Sequence, residues 1–365
     1  MSLESGSVTY RMFYMRPTLP KDHVEKFAAE ALPPISTLTA GDIHGWVTGR
    51  HLLDRNITDD KAMLGGYLRL TLCKAERKIP PALLKAECKM EEFAELQARG
   101  IAFLKRAERS EIKKQVTERL LPDMPPTLTG IDFVCEQDGS ILYATATSDN
   151  QIDAFTLYFK QATGVDLIPV TPFTIAAKER KHDLRDLPPT SFSPDHEDDT
   201  AETQVGRDFL TWLWYFSEAC GGLAALDCGE FAVMIEGPLS FIFEGNGAHE
   251  TVLRKGMPVV SAEAKTALTS GKKLKRAKVT FARGEDIWAL TLDADEFVCR
   301  SVQLPKGENL DAASKFQDRV LAMDTLRQIL FGFYNRFLDE RLDPKEWQAI
   351  REDIHKWVSS RKARV

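Results

Sequence analysis

Basic side chains are concentrated in one short segment of the C-terminal half of the chain. Between positions 272 and 283 there is no acidic residue, and six are basic: Lys272, Lys273, Lys275, Arg276, Lys278 and Arg283. Ala277, Val279 and Phe281 have the period of a half-buried strand, which puts Arg276 and Lys278 together on the opposite face. Cations aligned in this way can displace the counterions of a phosphate backbone without reading base edges.

A second basic excess lies between residues 74 and 119, which hold twelve basic and eight acidic side chains. The same composition is also typical of ordinary solvated helix faces, and charge alone does not separate the two interpretations. The formal net charge of the whole chain is −6. That balance argues against a simple polycationic nucleic-acid protein but is compatible with a local basic surface.

Catalytic motifs give little support to an enzyme. The sequence contains no phosphate-binding loop, dinucleotide fingerprint, nucleophile elbow or HExxH motif, and its seven histidines show no metal-ligand spacing. Glu87-Cys88-Lys89 matches the E-x-K of many metal-dependent nucleases, but in a helix positions i and i+2 point to different faces. Asp293-Ala294-Asp295-Glu296 is explained by a polar turn between two strands. We therefore predict no catalytic residue, no metal and no cofactor, with a metal-dependent exonuclease as the alternative.

The elements that position the basic residues can be predicted from hydrophobic periodicity. Val8, Tyr10 and Met12 alternate as in a strand, and residues 81–121 follow a helical pattern with a break or bend at Gly100. Strands at 131–135 and 141–146 flank an Asp-Gly turn, and a helix covers 149–163.

Aromatic helices dominate the second half of the chain. A stripe at residues 209–220 and another at 316–337 have helical spacing and are predicted to face a core. Asp343-Pro344 starts a last helix. Its apolar face carries Trp347, Ile350, Ile354 and Trp357.

These elements predict an α+β fold of mixed antiparallel sheets with long helices. Four regions are expected. Residues 1–177 form an N-terminal α+β region with the long charged helix and the hairpin. Residues 178–205 form an acidic linker or insertion, residues 206–310 a second α+β region with the basic strand, and residues 311–365 the C-terminal helices.

Cysteine usage and the N-terminus indicate the compartment. The six cysteines are scattered without a CxxC pair, which is typical of reduced thiols. Neither a secretory signal nor a stretch of about 18 apolar residues occurs. We expect a soluble, cytoplasmic protein without membrane contact.

Several segments, in order along the chain, resemble the bacterial recombination-associated protein RdgC. They are 8–11 (VTYR), 45–47 (GWV), 73–85 (CKAERKIPPALLK), 111–116 (EIKKQV), 120–122 (LLP), the 131–142 hairpin, 167–172 (LIPVTP) and 270–277 (SGKKLKRA). The chain departs from the family at Asp123, Met124 and Pro125, where a basic residue and then an aromatic residue used in ring closure are usual.

The resemblance implies a non-enzymatic protein that binds double-stranded DNA without reading its sequence. It also implies a homodimer that closes into a basic ring around DNA and limits loading of the recombinase RecA, hence a nucleoid location. Together with the charge pattern it gives these candidate DNA-binding residues: Arg11, Lys74, Arg77, Lys78, Lys113, Lys114, Lys272, Lys273, Lys275, Arg276, Lys278 and Arg300. A second alternative is a protein-binding scaffold that uses the helix at 344–358.

Overall fold

The computed structural model describes residues 3–38, 41–194, 203–243, 249–307 and 311–360. Its strands join into one continuous, predominantly antiparallel sheet. The strands are β1 (Val8–Arg16), β2 (Asp42–Thr48), β3 (Met63–Leu64), β4 (Tyr67–Arg77), β5 (Pro126–Cys135), β6 (Ile141–Ala144), β7 (Asp166–Pro169), β8 (Leu223–Leu226), β9 (Gly229–Ile242), β10 (Glu250–Leu253), β11 (Lys273–Arg283), β12 (Asp286–Asp293) and β13 (Val298–Gln303).

The helices lie between and after these strands. They are α1 (His23–Ala29), α2 (Asp59–Ala62), α3 (Pro81–Arg99), α4 (Arg106–Leu120), α5 (Asp149–Thr163), α6 (Pro172–Ile175), α7 (Val205–Ala219), α8 (Ala262–Thr269), α9 (Ala312–Leu342) and α10 (Pro344–Ser359). Mixed helices and antiparallel strands confirm the predicted α+β class. Positions 195–202 of the predicted acidic linker lie outside the described residues.

Strand β1 joins the two halves of the sheet, whose main order is β10-β9-β11-β12-β13-β1-β6-β5-β4-β2. The first residues of β1 pair with β13, with Val8 opposite Val302 and Tyr10 opposite Cys299. Its later residues pair with β6 on one edge and β7 on the other. The N-terminal strand is therefore shared by both halves.

Two aromatic clusters fill the core. On one face of the sheet α7 and α9 meet, with the ring of Phe337 5.6 Å from Phe209 and 5.7 Å from Trp212. On the other face, α1 and α5 cover the N-terminal half, where the rings of Phe27 and Trp46 are 4.7 Å apart. The predicted aromatic stripes thus face the core, as expected from their spacing.

The last helix also packs inside the molecule. Asp343 caps it by accepting hydrogen bonds from the backbone N–H groups of Lys345 and Glu346, at 2.8 and 3.2 Å. Trp347 and Trp357 are buried, and Trp357 packs edge-on against Trp214 of α7 at 4.9 Å. This face is occupied by the chain's own core, so it does not offer the free surface that the scaffold alternative needs.

Candidate nucleic-acid interface

Helices α3 and α4 form a protrusion at one end of the sheet. They are inserted between β4 and β5, which pair from Leu68 opposite Cys135 to Arg77 opposite Pro126. Gly100, in the left-handed region at φ 65°, ends α3 and confirms the predicted break. No residue of α3 is buried, and α4 buries only Val116. Apart from Val116, every side chain of this pair, called here the helical hairpin, is therefore at least partly exposed.

The helical hairpin has two chemically different sides because its charges alternate along α3. Lys85 and Lys89 are four residues apart and lie on one side, whereas Glu87 and Glu91 are each displaced by two residues, or about 200° around the helix. The acidic side is held by Arg119 of α4, whose guanidinium lies 2.9 Å from Glu87 and 2.7 Å from Glu91. The basic side is left without these carboxylates.

The basic side forms a groove between the two helices, with a cavity of about 580 Å³. We define the basic groove by its five exposed cations, of which none is ion-paired in the part of the chain that the structure describes: Lys85, Lys89, Arg106, Arg109 and Lys113. Glu92 is the one acidic residue that lines the cavity. Five cations facing one carboxylate give the groove a positive potential.

The E-x-K match is resolved by the same geometry. Glu87 binds Arg119, while Lys89 lines the groove on the other side of α3. The two side chains therefore belong to different surfaces, as the helical spacing predicted. Among the described residues, no group of three or more His, Cys, Asp or Glu side chains could hold a metal ion.

The basic strand β11 presents a different arrangement, because an acidic turn lies beside it. Asp293 is 2.6 Å from Arg276 and 4.0 Å from Arg300, and Asp295 is 3.1 Å from Lys275. Burial raises the pKa of Asp295, but its contacts with Arg207 and Lys275 outweigh this and hold that pKa below its ordinary value. The carboxylates therefore neutralise cations that appear isolated in the sequence.

Further partners come from the neighbouring strands. Lys278 lies 2.8 Å from Glu236 of β9, and Lys272 donates a hydrogen bond to the Thr251 hydroxyl at 2.6 Å. The alternation predicted for β11 is correct, with Ala277, Val279 and Phe281 buried. The strand is thus a charge-paired surface rather than a row of free cations.

Two candidate residues are not at the surface. Arg11 is 4% exposed and pairs with Glu296, and Lys273 is 4% exposed and lies 3.1 Å from the buried Asp208. In this conformation neither side chain is accessible to a DNA backbone, so burial argues against the predicted contacts of Arg11 and Lys273. For Lys273, moving the cation to solvent would break an ion pair with a fully buried carboxylate, which is costly.

The cations at the end of β4 are also engaged. Lys74 lies 3.0 Å from Asp42 and 3.2 Å from Glu76, and its hydrogen bond lowers the pKa of Asp42. Lys78 pairs with Glu76 and lowers the pKa of that carboxyl. Arg77 donates to the backbone carbonyls of Leu38 and Met124. Arg77 therefore fixes the base of the helical hairpin.

Of the twelve candidates, Lys113 and Lys114 are exposed without an ion pair in the described ranges. Lys113 lines the basic groove. Sequence reasoning missed its four companions there: Lys85, Lys89, Arg106 and Arg109. Their spacing of three or four residues on each helix was the available signal.

Comparison with known proteins gives one family. Residues 10–182 match the family described as "Putative exonuclease, RdgC", and no curated protein matches the chain. The matched segment contains the whole helical hairpin but not β11. Within the described ranges, no helix is long and apolar enough to span a membrane. At family level the match supports a theme of DNA recombination. Residues 10–182, which are 173 of the 365 positions, are thus similar to the RdgC family.

Proposed function

We propose that this protein binds double-stranded DNA without reading its sequence and modulates homologous recombination through that binding. The observation that carries the proposal is the basic groove, whose five cations have no carboxylate partner in the described part of the chain. Cations already paired with carboxylates gain less from a phosphate than free ones do, because the existing pair must first be broken. The groove is therefore the favoured contact, ahead of β11.

The dimensions of the helical hairpin support contacts to a phosphate backbone. Lys85 and Lys89 are separated by about 6 Å along α3, and Arg109 and Lys113 by the same distance along α4. If each of the five cations neutralises one phosphate, log K should fall against log salt with a slope of about −4.5 per chain. A contact of this kind positions the protein on DNA but carries no base information.

The RdgC resemblance suggests the larger arrangement, which we include in the proposal. A homodimer closes into a ring around the duplex and limits access of RecA, in the cytoplasm and on the nucleoid. In such a dimer each groove occurs twice, so the salt slope doubles if both copies contact the same duplex. Asp123, Met124 and Pro125 then form a ring-closing segment that differs from that of the family.

Binding of several unrelated duplexes of equal length, each titrated at a series of salt concentrations, tests the proposed function. We expect affinities within a few-fold of each other and a steep, linear log–log salt dependence. A preference on the order of 10³ for one sequence would show base readout and contradict the proposal. The solution mass measured with and without DNA tests the dimer.

The family description includes an exonuclease, so the same mixtures are also incubated with Mg²⁺ or Mn²⁺. Each mixture is then run on a native gel, which shows binding, and on a denaturing gel, which shows shortening of the DNA. Intact DNA that is shifted on a native gel supports a binding protein. Progressive shortening that depends on the metal would favour the nuclease alternative.

A further inference from the structure

A small cavity lies away from the helical hairpin, where the end of β1 meets β7 and the turn that follows α6. Its volume is about 330 Å³, at the lower end of the range for small-molecule sites. The walls come from three separate parts of the chain. They are formed by Tyr14, Met15, Arg16, Ile168, Thr174, Ala177 and Lys178.

The two charged residues that line this cavity are both basic. Arg16 and Lys178 line it, both are exposed, and neither forms an ion pair with a carboxylate in the described ranges. Burial is the main cause that lowers the pKa of Lys178, and the positive charges of Arg327 and Arg16 lower it further, while Glu179 opposes them. Cations held together against their mutual repulsion favour an anion between them.

The wall beneath these cations is aromatic and aliphatic. The Nζ atom of Lys178 lies 3.9 Å from the centre of the Tyr14 ring, in a cation–π contact. Tyr14 is 6% exposed, and its buried hydroxyl has no hydrogen-bond partner among the described residues. The ring of Tyr14 therefore gives the cavity an apolar wall beneath the Lys178 cation.

We propose that this cavity binds a small organic anion, with a carboxylate or phosphate head between Arg16 and Lys178 and a short apolar body against Tyr14 and Ile168. Guanidinium groups bind both kinds of head in a two-pronged manner. The apolar wall selects against a bare inorganic ion. The site is separate from the basic groove, and the proposal goes beyond DNA binding.

Calorimetric titration of the full chain with four probes tests this proposal. Benzoate and phenyl phosphate carry both head and body, inorganic phosphate lacks the body, and benzamide lacks the charge. We expect benzoate or phenyl phosphate to bind with Kd on the order of 1 mM, as befits so small a molecule, and the comparison of the two identifies the preferred head. Benzamide and inorganic phosphate should bind roughly tenfold more weakly or not at all.

Variants locate the binding. Lys178→Gln and Arg16→Gln should each weaken the preferred probe by roughly tenfold, because each removes a charge-assisted contact. Tyr14→Phe keeps the aromatic ring and should weaken binding of the preferred probe less than either charge substitution does. Lys21→Gln removes the same charge from an exposed position outside the cavity and should have no effect. Circular dichroism confirms that each variant is folded.

Three results would overturn the proposal. One is the absence of binding by every probe at about 10 mM, well above the expected Kd. Another is binding of inorganic phosphate as tight as that of the preferred probe, which would show only general electrostatic attraction. The third is a loss of duplex-DNA affinity in Arg16→Gln and Lys178→Gln without loss of probe binding, which would make the cavity part of the DNA surface. Because the probes contain no DNA, failure of the proposed DNA function would leave this test intact.

Discussion

Exchanging two lysines of the basic groove for glutamine gives a direct test of where DNA is bound. Lys89 on α3 and Lys113 on α4 line the two sides of the groove, and both are exposed. Neither lysine takes part in the ion pairs that Arg119 forms with Glu87 and Glu91. The double variant Lys89→Gln/Lys113→Gln should therefore stay folded, since exposed substitutions usually change the free energy of unfolding by no more than about 0.5 kcal/mol.

The size of the effect follows from counterion release. Each phosphate contact contributes about 0.9 to the slope of log K against log salt, so the loss of two contacts reduces it by about 1.8 per chain. If the binding constant extrapolated to 1 M salt is unchanged, the affinity at 0.1 M salt falls by a factor of 10 to the power 1.8, or about 60-fold. The loss should be the same for all duplexes.

A matched control is available in the same chain. Lys78 pairs with Glu76, and Lys278 lies 2.8 Å from Glu236. The double variant Lys78→Gln/Lys278→Gln removes the same two charges, so both proteins have the same net charge. Because these lysines are already neutralised, we expect the affinity to change by no more than about threefold.

Fluorescence anisotropy of a labelled duplex, measured at several salt concentrations, compares the two double variants with the unmodified chain. Thermal unfolding checks that all three are folded. An equal loss of slope in the two variants would mean that DNA responds only to net charge. A loss confined to the control would place the contact on β4 and β11 and refute the reasoning from the basic groove.

Three further predictions test other parts of the structure. Glu236→Gln releases Lys278 from its ion pair, and we expect an unchanged salt slope of duplex binding; an increase of about 0.9 in the same anisotropy titration would show that β11 meets DNA. Phe337→Ala should lower the free energy of unfolding in urea by about 3–5 kcal/mol, because it removes a ring packed among Phe209, Trp212 and Trp347; full stability with a lost dimer would show an interface rather than a core. Asp324→Asn weakens the hydrogen bonds from Tyr143 and Arg327 at 2.8 Å and should cost about 1–3 kcal/mol at pH 7. Burial raises the pKa of Asp324, but these hydrogen bonds outweigh it and hold the pKa below the ordinary value of about 3.9. The stabilisation of the fold by ionised Asp324 is therefore complete above about pH 3.9 and is lost as the pH falls through the lower pKa of the folded state. Urea midpoints of the two proteins should converge in acid, and a constant difference would contradict this assignment.

Local elements of the fold could be predicted well from the sequence. The helix expected at 149–163 is α5, and the break expected at Gly100 separates α3 from α4. These signals are local, since they depend on caps, glycine conformation and hydrophobic period within one element. The shared role of β1 was not predicted, because its pairing with β13 joins residues almost 300 positions apart.

The sequence analysis did not predict that carboxylates neutralise the cations of β11, although some of these pairs follow from the strand register. Arg283 pairs with Asp286 across a two-residue turn, and counting back along the two strands places Arg276 opposite Asp293. The pairing of Lys278 with Glu236 depends on β9, whose register no local pattern fixes. In the helical hairpin the same difficulty does not arise, because helical spacing alone separates Lys85 and Lys89 from Glu87 and Glu91.

The shared strand β1 has a consequence for synthesis of the chain. Val8 finds its partner Val302 only after 294 further residues have been added. At synthesis rates of about 5–20 residues per second, this takes roughly 15–60 s. Throughout that time the edge of β1 that later binds β13 has unpaired backbone groups, and such edges are open to pairing with other chains. The C-terminal half of the sheet can therefore close onto β1 only near the end of translation, and the nascent protein needs protection of this edge until then.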